Sequence, residues 1–374
     1  MNTFEPLESI KMKEFSIGGL TISIPIIQGG MGVGISLSGL ASAVANEGGV
    51  GIISSAGLGL LYRDFSKNYL EASIEGLKEE LRNAKAKTTG VIGVNIMAAM
   101  TNFEDMVRTS IQEKADIIFA GAGLPLDLPK FLKPDSVTKL VPIVSSGKAA
   151  RLISTKWKMN YNYLPDAFVV EGPKAGGHLG FKNKQITDES YTLEKLVPDV
   201  VQEARILEEQ YNKNIPVIAA GGIYSGDDAY KIMKLGARAV QLGTRFVTTE
   251  ECDASANFKD EYVQAKEDNI QIIQSPVGMP GRAVQNNFLD RVKQGLKAPK
   301  SCPFKCIKSC EVEKSPYCII NALYQAYKGN MKSGYAFAGT NAYRADKINK
   351  VKDVFADLRT GFENALRADN TPLK

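Results

Sequence analysis

The stretch PVIAAGGIYSGDDAYKIMKLGARAVQLGTR, Pro216 to Arg245, decides the fold. It opens with a short apolar run, Pro216-Ala220, that stops at Gly221-Gly222. A helical pattern follows over Asp227-Leu235, and a second apolar run, Ala239-Leu242, stops at Gly243-Thr244. Two buried runs of strand length around one helix read as a parallel pair with its crossover, because parallel neighbours need a long, usually helical, connection.

Upstream the same alternation repeats. Further strands are predicted at Ile24-Gln28, Val50-Ser54, Val91-Ile96, Asp116-Ala120, Val141-Ser145 and Ala167-Glu171, which brings the total to eight. Helical patterns fall between them, at Leu37-Glu47, Tyr69-Ala86, Phe103-Lys114 and Leu193-Tyr211. Eight such units predict an α/β fold, a closed (β/α)8 TIM barrel, in preference to a doubly wound open sheet.

A barrel needs roughly 250 residues, and this chain has 374. The surplus falls after the eighth strand, where the final helix does not come at once. Glu250 to about Gly339 is turn-rich, with Ser275-Pro276 and Gly278-Met279-Pro280-Gly281. Ile348, Val351, Val354, Phe355, Leu358, Phe362 and Leu366 then recur at spacings of three and four, the apolar face of a helix suited to packing on a barrel. The expected organisation is a barrel over 1–249, a smaller inserted domain over 250–339, and the closing helix of the barrel within 340–374.

Composition narrows the class. A hydrophobic fraction of 44% and a charged fraction of 23% suit a soluble globular protein. No stretch approaches the roughly 20 apolar residues of a membrane helix, and the amino terminus lacks the basic-then-apolar order of a secretory signal, so a cytoplasmic protein with no membrane partner is expected. The 46 basic and 41 acidic side chains interleave and leave a net charge of +5, which argues against nucleic acid as a partner.

Active sites of such barrels form at the carboxyl ends of the strands. Those positions are rich in glycine here: Gly29-Gly30-Met31-Gly32 after the first strand, Gly172-Pro173-Lys174-Ala175-Gly176-Gly177-His178 after the sixth, and the two pairs above after the seventh and eighth. Glycine lets backbone amides approach an anion, and the loops after strands seven and eight are the usual phosphate cradle. Gly221, Gly222, Gly243 and Thr244 are therefore the predicted phosphate site; the alternative is that they only make tight turns.

Taken in order, Ile27-Gln28-Gly29-Gly30-Met31-Gly32, Gly93-Val94-Asn95, Ala175-Gly176-Gly177-His178, Ala219-Ala220-Gly221-Gly222-Ile223 and Gln241-Leu242-Gly243-Thr244-Arg245-Phe246 resemble the nitronate monooxygenase family. These flavoproteins, formerly called 2-nitropropane dioxygenases, share fold and motifs with flavin-dependent enoyl-acyl-carrier-protein reductases. The resemblance implies one flavin mononucleotide (FMN), its phosphate on Gly221, Gly222, Gly243 and Thr244. Gly30, Met31, Asn95, Ser145, Glu171, Gly176 and Gln241 complete the implied cofactor set. His178, the sole histidine of the chain, is the implied catalytic residue, a proton-transfer group beside the flavin.

Two reactions fit. One is oxidation of an alkyl nitronate with dioxygen; the other is reduction of an enoyl thioester with NAD(P)H as co-substrate, and the histidine does not choose between them. A phosphate-binding barrel without redox chemistry is the reading from another class. Lys174 reads either as an anion contact or as a solvated loop lysine, and Arg245 as one half of an internal ion pair.

Cys252 stands alone, while Cys302, Cys306, Cys310 and Cys318 are separated by only three, three and seven residues. Four clustered thiols suit a thiolate cage for zinc or an iron-sulfur cluster, or reduced structural thiols. The customary pair two residues apart is missing, and the family resemblance is weak over this segment.

Overall fold

The computed structural model describes residues 12–64 and 66–369. Its centre is a closed barrel of eight parallel strands: β1 (Ile26–Gln28), β2 (Val50–Ser54), β3 (Val91–Met97), β4 (Ile117–Gly121), β5 (Lys139–Val144), β6 (Phe168–Glu171), β7 (Val217–Ala220) and β8 (Ala239–Leu242). Neighbours in sequence are neighbours in space, and β8 closes on β1 with Gln241 opposite Ile27 and Leu242 opposite Gln28. All the expected strands are present. Strand β1 starts two residues late because Pro25 has no N–H to give the ladder and the Ile24 amide donates instead to Gly48 O at 2.9 Å.

Every second residue of a strand points to the same face. Ile27, Val50, Ile52, Ile117, Phe119, Val141, Val169 and Ile218 accordingly fill the barrel interior. Phe15, Ile17 and Ile22 join that cluster from a hairpin, Phe15–Ile17 with Leu20–Ile22, turned at Gly18-Gly19. Asn214, just before β7, reaches the hairpin's Ser16 carbonyl, so it plugs the amino-terminal end of the barrel.

The crossover helices are α1 (Ser38–Asn46), α2 (Tyr69–Lys87), α3 (Phe103–Gln112), α4 (Gly147–Tyr161), α5 (Leu193–Tyr211) and α6 (Gly226–Met233). Their apolar faces and the outer faces of the strands make one continuous shell. The repeat is not even: between β4 and β5 there is only the 3-10 turn Leu128–Phe131. Pro125, Pro129 and Pro134 lie in that connection, and each removes an amide donor and blocks a regular helix.

Residues 250–350 carry α7 (Ala256–Val263), α8 (Asn287–Lys293) and α9 (Ile319–Tyr327), with the antiparallel strands Ile270–Gln274 and Pro280–Val284. Phe288, Tyr317 and Tyr335 form an aromatic triad with ring centroids 5.7–5.9 Å apart, the centre of a small core of its own. The closing helix, α10 (Val351–Asp369), buries Val351, Val354, Phe355, Leu358 and Phe362. It begins after Ile348 because Asn349 is held extended, bridging Thr249 beside the start of the insertion. No described helix is long and apolar enough to cross a membrane.

Candidate active site

The loops at the carboxyl ends of the strands enclose a cavity of about 760 Å³. After β1, Gly30 lies so close under Asn95 of β3 that a Cβ there would sit 2.2 Å from the Asn95 Cβ. Met31 is held in a tight loop by Ser36, whose hydroxyl accepts the Met31 amide at 2.9 Å and whose amide donates to the Met31 carbonyl at 3.0 Å. After β7, Gly221 and Gly222 have φ of +94° and +88°, a conformation that favours glycine. After β8, a Cβ on Gly243 would come within 3.3 Å of the Met31 sulfur, so the Met31 side chain would have to give way. Gly30, Met31, Asn95, Gly221, Gly222, Gln241, Gly243 and Thr244 all line the cavity, as do Ser145, Glu171, Gly176 and His178.

Three side chains give this wall its chemistry. Gln241 has a buried Oε1 with no hydrogen-bond partner in the described chain, an acceptor waiting on the cavity wall. Glu171 ends β6, and burial pushes its carboxyl up to about 7, so it passes between carboxylic acid and carboxylate near neutrality. Burial pushes His178 down to about 4, because desolvation penalises the imidazolium, so the ring is neutral near pH 7.

What positions His178 was not legible beforehand. Gly177–His178 is itself a short strand, paired antiparallel to Pro280–Val284 of the insertion with Gly281 opposite His178. The imidazole Nε2 lies 2.8 Å from the hydroxyl of Ser275, and the ring packs edge-on against Phe337 at 5.0 Å. Ser275 Oγ also accepts the Val277 amide at 3.3 Å, which fixes the hydroxyl. Arg282, buried, donates from Nη1 to the carbonyls of Pro173 and Ala175, both at 2.6 Å, and so pins the loop that carries the histidine. In sequence, Ser275 and Arg282 sit in a stretch that reads only as turns; a residue supplied from a hundred positions away leaves no local pattern.

Lys174 lines the cavity and has no ion pair among the described residues, while Arg245 pairs with Asp357 of the closing helix at 2.7 Å and packs over Tyr224. The four clustered cysteines are free thiols. Among the described residues no group of three or more Cys, His, Asp or Glu side chains is arranged to hold a metal.

The sequence pattern of the nitronate monooxygenase family matches residues 13–361. The chain belongs to that family. Its members are oxidoreductases and flavin-dependent in general. A 5-hydroxy-7a-methyl-1-oxo-octahydro-1H-indene-4-carboxyl-CoA dehydrogenase of Mycobacterium tuberculosis is 29% identical over 74% of this chain and 67% of its own. A probable nitronate monooxygenase of Staphylococcus saprophyticus is 26% identical over 76% and 82%. Among solved structures, FabK from Thermotoga maritima superposes with a TM-score of 0.69 at 28% identity over 92% of this chain and 94% of that one. The nitroalkane oxidase of Streptomyces ansochromogenes superposes at 0.70 over 92% and 97%, with 20% identity, a likeness of fold.

Proposed function

We propose that the chain is an FMN-dependent oxidoreductase that oxidises small alkyl nitronates with dioxygen, with His178 taking the proton of the neutral nitroalkane that yields the nitronate, or orienting the nitronate itself. The observation that carries the reading is that the sole histidine, neutral and hydrogen-bonded to Ser275, lines the same cavity as the glycine-rich loops after β1, β7 and β8. The residues fit FMN. Gly221, Gly222, Gly243 and Thr244 offer backbone close to an anion, and the unpartnered Gln241 Oε1 is an acceptor for a ring or ribityl donor. Asn95 can both donate and accept at a pyrimidine edge, and Glu171 can do the same while it holds its proton.

The cofactor supplies the electron transfer and the reaction with dioxygen. The protein supplies the rest. In the tautomer whose Nε2–H donates to Ser275 Oγ, Nδ1 is the nitrogen left to take a proton from the carbon next to a nitro group, while the hydroxyl keeps the ring oriented. Phe337 and Met279, which also line the cavity, shield that proton from water.

A second reading keeps the same site with a thioester substrate and NAD(P)H as co-substrate. It is favoured by the relatives at 28–29% identity, one of which is a carboxyl-CoA dehydrogenase and another FabK. The purified protein should be yellow and release FMN on heating. Anaerobic mixing in turn with NADH, NADPH and an alkyl nitronate then separates the readings, because only a competent reductant bleaches the flavin quickly. A colourless protein that refuses FMN sinks both.

A further inference from the structure

The insertion carries a group of side chains that the flavin chemistry does not use. Cys302, Cys306, Cys310 and Cys318 lie on a segment with almost no regular structure, whose one helical turn is the 3-10 turn Val312–Lys314. Chain without regular structure packs in place only where something fixes it. Part of that fixing is visible: the Thr101 amide donates to the Cys306 carbonyl at 3.1 Å, the Thr101 hydroxyl to the Lys305 carbonyl at 2.6 Å, and Met100 bridges Ile307. The segment is thus strapped along the loop after β3. Cys306 is buried with Val33 and Leu60, from the loops after β1 and β2, with Cys318 against the same cluster.

Three features of this place have no use in an ordinary apolar contact. The first is convergence, since Cys302, Cys310 and Cys318 all lie within electrostatic reach of Cys306, and Cys302 and Cys310 within reach of Cys318. The second is backbone aimed at sulfur. The Lys305 amide donates to Cys302 Sγ at 3.3 Å, and Lys305 holds the left-handed conformation, φ +45°, that this turn requires of a residue other than glycine. Cys318 stands at the N-cap of α9, one residue before Ile319. Amides directed at sulfur are the outer support of a thiolate ligand. The third is Tyr69, which packs against Phe304 with centroids 5.8 Å apart. Its hydroxyl is buried, with the thiols of Cys306 and Cys318 and the hydroxyl of Ser73 as its polar neighbours. Ser73 donates its proton to the Tyr69 carbonyl at 2.7 Å, which leaves its oxygen as a neutral acceptor. A hydroxyl that donates to a thiolate or a cluster sulfide makes a charge-assisted bond, stronger than one to the neutral Ser73 oxygen.

We propose that Cys302, Cys306, Cys310 and Cys318 bind a metal as four thiolates, in a zinc site or an iron-sulfur cluster, that clasps the insertion to the loops after β1, β2 and β3. The free thiols stand wider than ligand distance. Binding contracts them, which the irregular segment permits. The centre would lie one layer of side chains from the flavin cavity, because Val33 and Leu323 touch the cysteine cluster and line the cavity as well. This inference is independent of the proposed reaction.

The test is metal and acid-labile sulfide per chain in the full-length protein, expressed with zinc and iron available and purified without oxygen. About one zinc, or about four iron with about four sulfide, is expected, and the two results separate the two kinds of centre. Cys302→Ser and Cys310→Ser, at partly exposed positions, should each lower the metal at least tenfold, whereas Cys252→Ser, outside the group, should leave it unchanged. A variant that fails to fold is replaced by alkylation of the native parent. With metal bound, the four cysteines should react at least tenfold more slowly than after chelation. The idea is overturned by less than a tenth of an equivalent of either metal, both as purified and after reconstitution with zinc or with iron and sulfide. Disulfides among the four in the anaerobic protein, or full metal content in Cys302→Ser, overturn it too.

Discussion

At the scale of single residues, the site is governed by two groups that burial moves in opposite senses. A buried imidazole loses its charge and a buried carboxylate gains a proton, so His178 is neutral and Glu171 is half protonated at pH 7. Replacing His178 by Asn should leave FMN bound, because the histidine is not among the residues proposed to hold the phosphate, yet lower turnover of a neutral nitroalkane about 100-fold or more. The preformed nitronate has already surrendered that proton and should lose far less. Dioxygen uptake with both substrate forms, at matched flavin content, checks this; equal rates for variant and parent would make the histidine structural. Glu171 makes a prediction about stability. Its folded pKa is raised, so between about 4.5 and about 7 the folded chain holds a proton that the unfolded chain has released, and stability falls as pH rises through that window. Glu171→Gln removes the penalty. Flavin-free protein should therefore gain on the order of 1–3 kcal/mol at pH 8, the carboxyl being partly open to the cavity, and nothing at pH 4.5. Denaturant unfolding at both pH values measures it, and a gain of equal size at the two would show that the carboxyl is not the cause.

At the scale of elements, two close approaches of backbone make predictions of different kinds. Gly243 faces the cavity, so Gly243→Asp puts an anion where a phosphate must come near the backbone. FMN occupancy should fall severely while the fold survives; full occupancy would remove the phosphate from that loop. Gly226 instead opens α6 where α10 crosses it, and a Cβ there would meet Leu358 O at 2.1 Å. Gly226→Ala should cost about 1–3 kcal/mol without touching the flavin, read as a lower midpoint in denaturant. These elements were also the most legible part of the sequence. Strands β7 and β8 are apolar runs that end at glycine pairs, and α10 shows its face in Val354, Phe355, Leu358 and Phe362. The hairpin Phe15–Ile22 escaped notice because two strands of three residues are too short to show a period. No helical pattern is predicted between the fourth and fifth strands, and only a 3-10 turn forms there, where prolines interrupt the repeat. Ser275 and Arg282 act only through pairing with residues about a hundred positions away, which no local pattern records.

At the scale of the whole molecule, the proposed site is shared between two parts of the chain that are distant in sequence. The barrel supplies the cradle and Glu171, and the insertion supplies the strand Pro280–Val284 on which the His178 strand is laid. Arg282 is the bolt between them. It is buried, makes no ion pair among the described residues, and satisfies the carbonyls of Pro173 and Ala175. Burial without a counter-charge draws its guanidinium down to about 10, still charged at neutral pH, so its stabilising role rests on these carbonyl hydrogen bonds. Arg282→Met keeps much of the packing volume and strands both carbonyls, at about 1–3 kcal/mol for each group left unsatisfied. The loop at 173–178 and the strand at 280–284 should then open together, with amide exchange rising in both while β2, β3 and β4 stay protected. Turnover should fall with the exchange protection, since His178 loses its orientation toward Ser275. Faster exchange at 280–284 alone, with the loop after β6 unmoved and activity intact, would mean that the barrel holds the histidine unaided and that the insertion is only a cover.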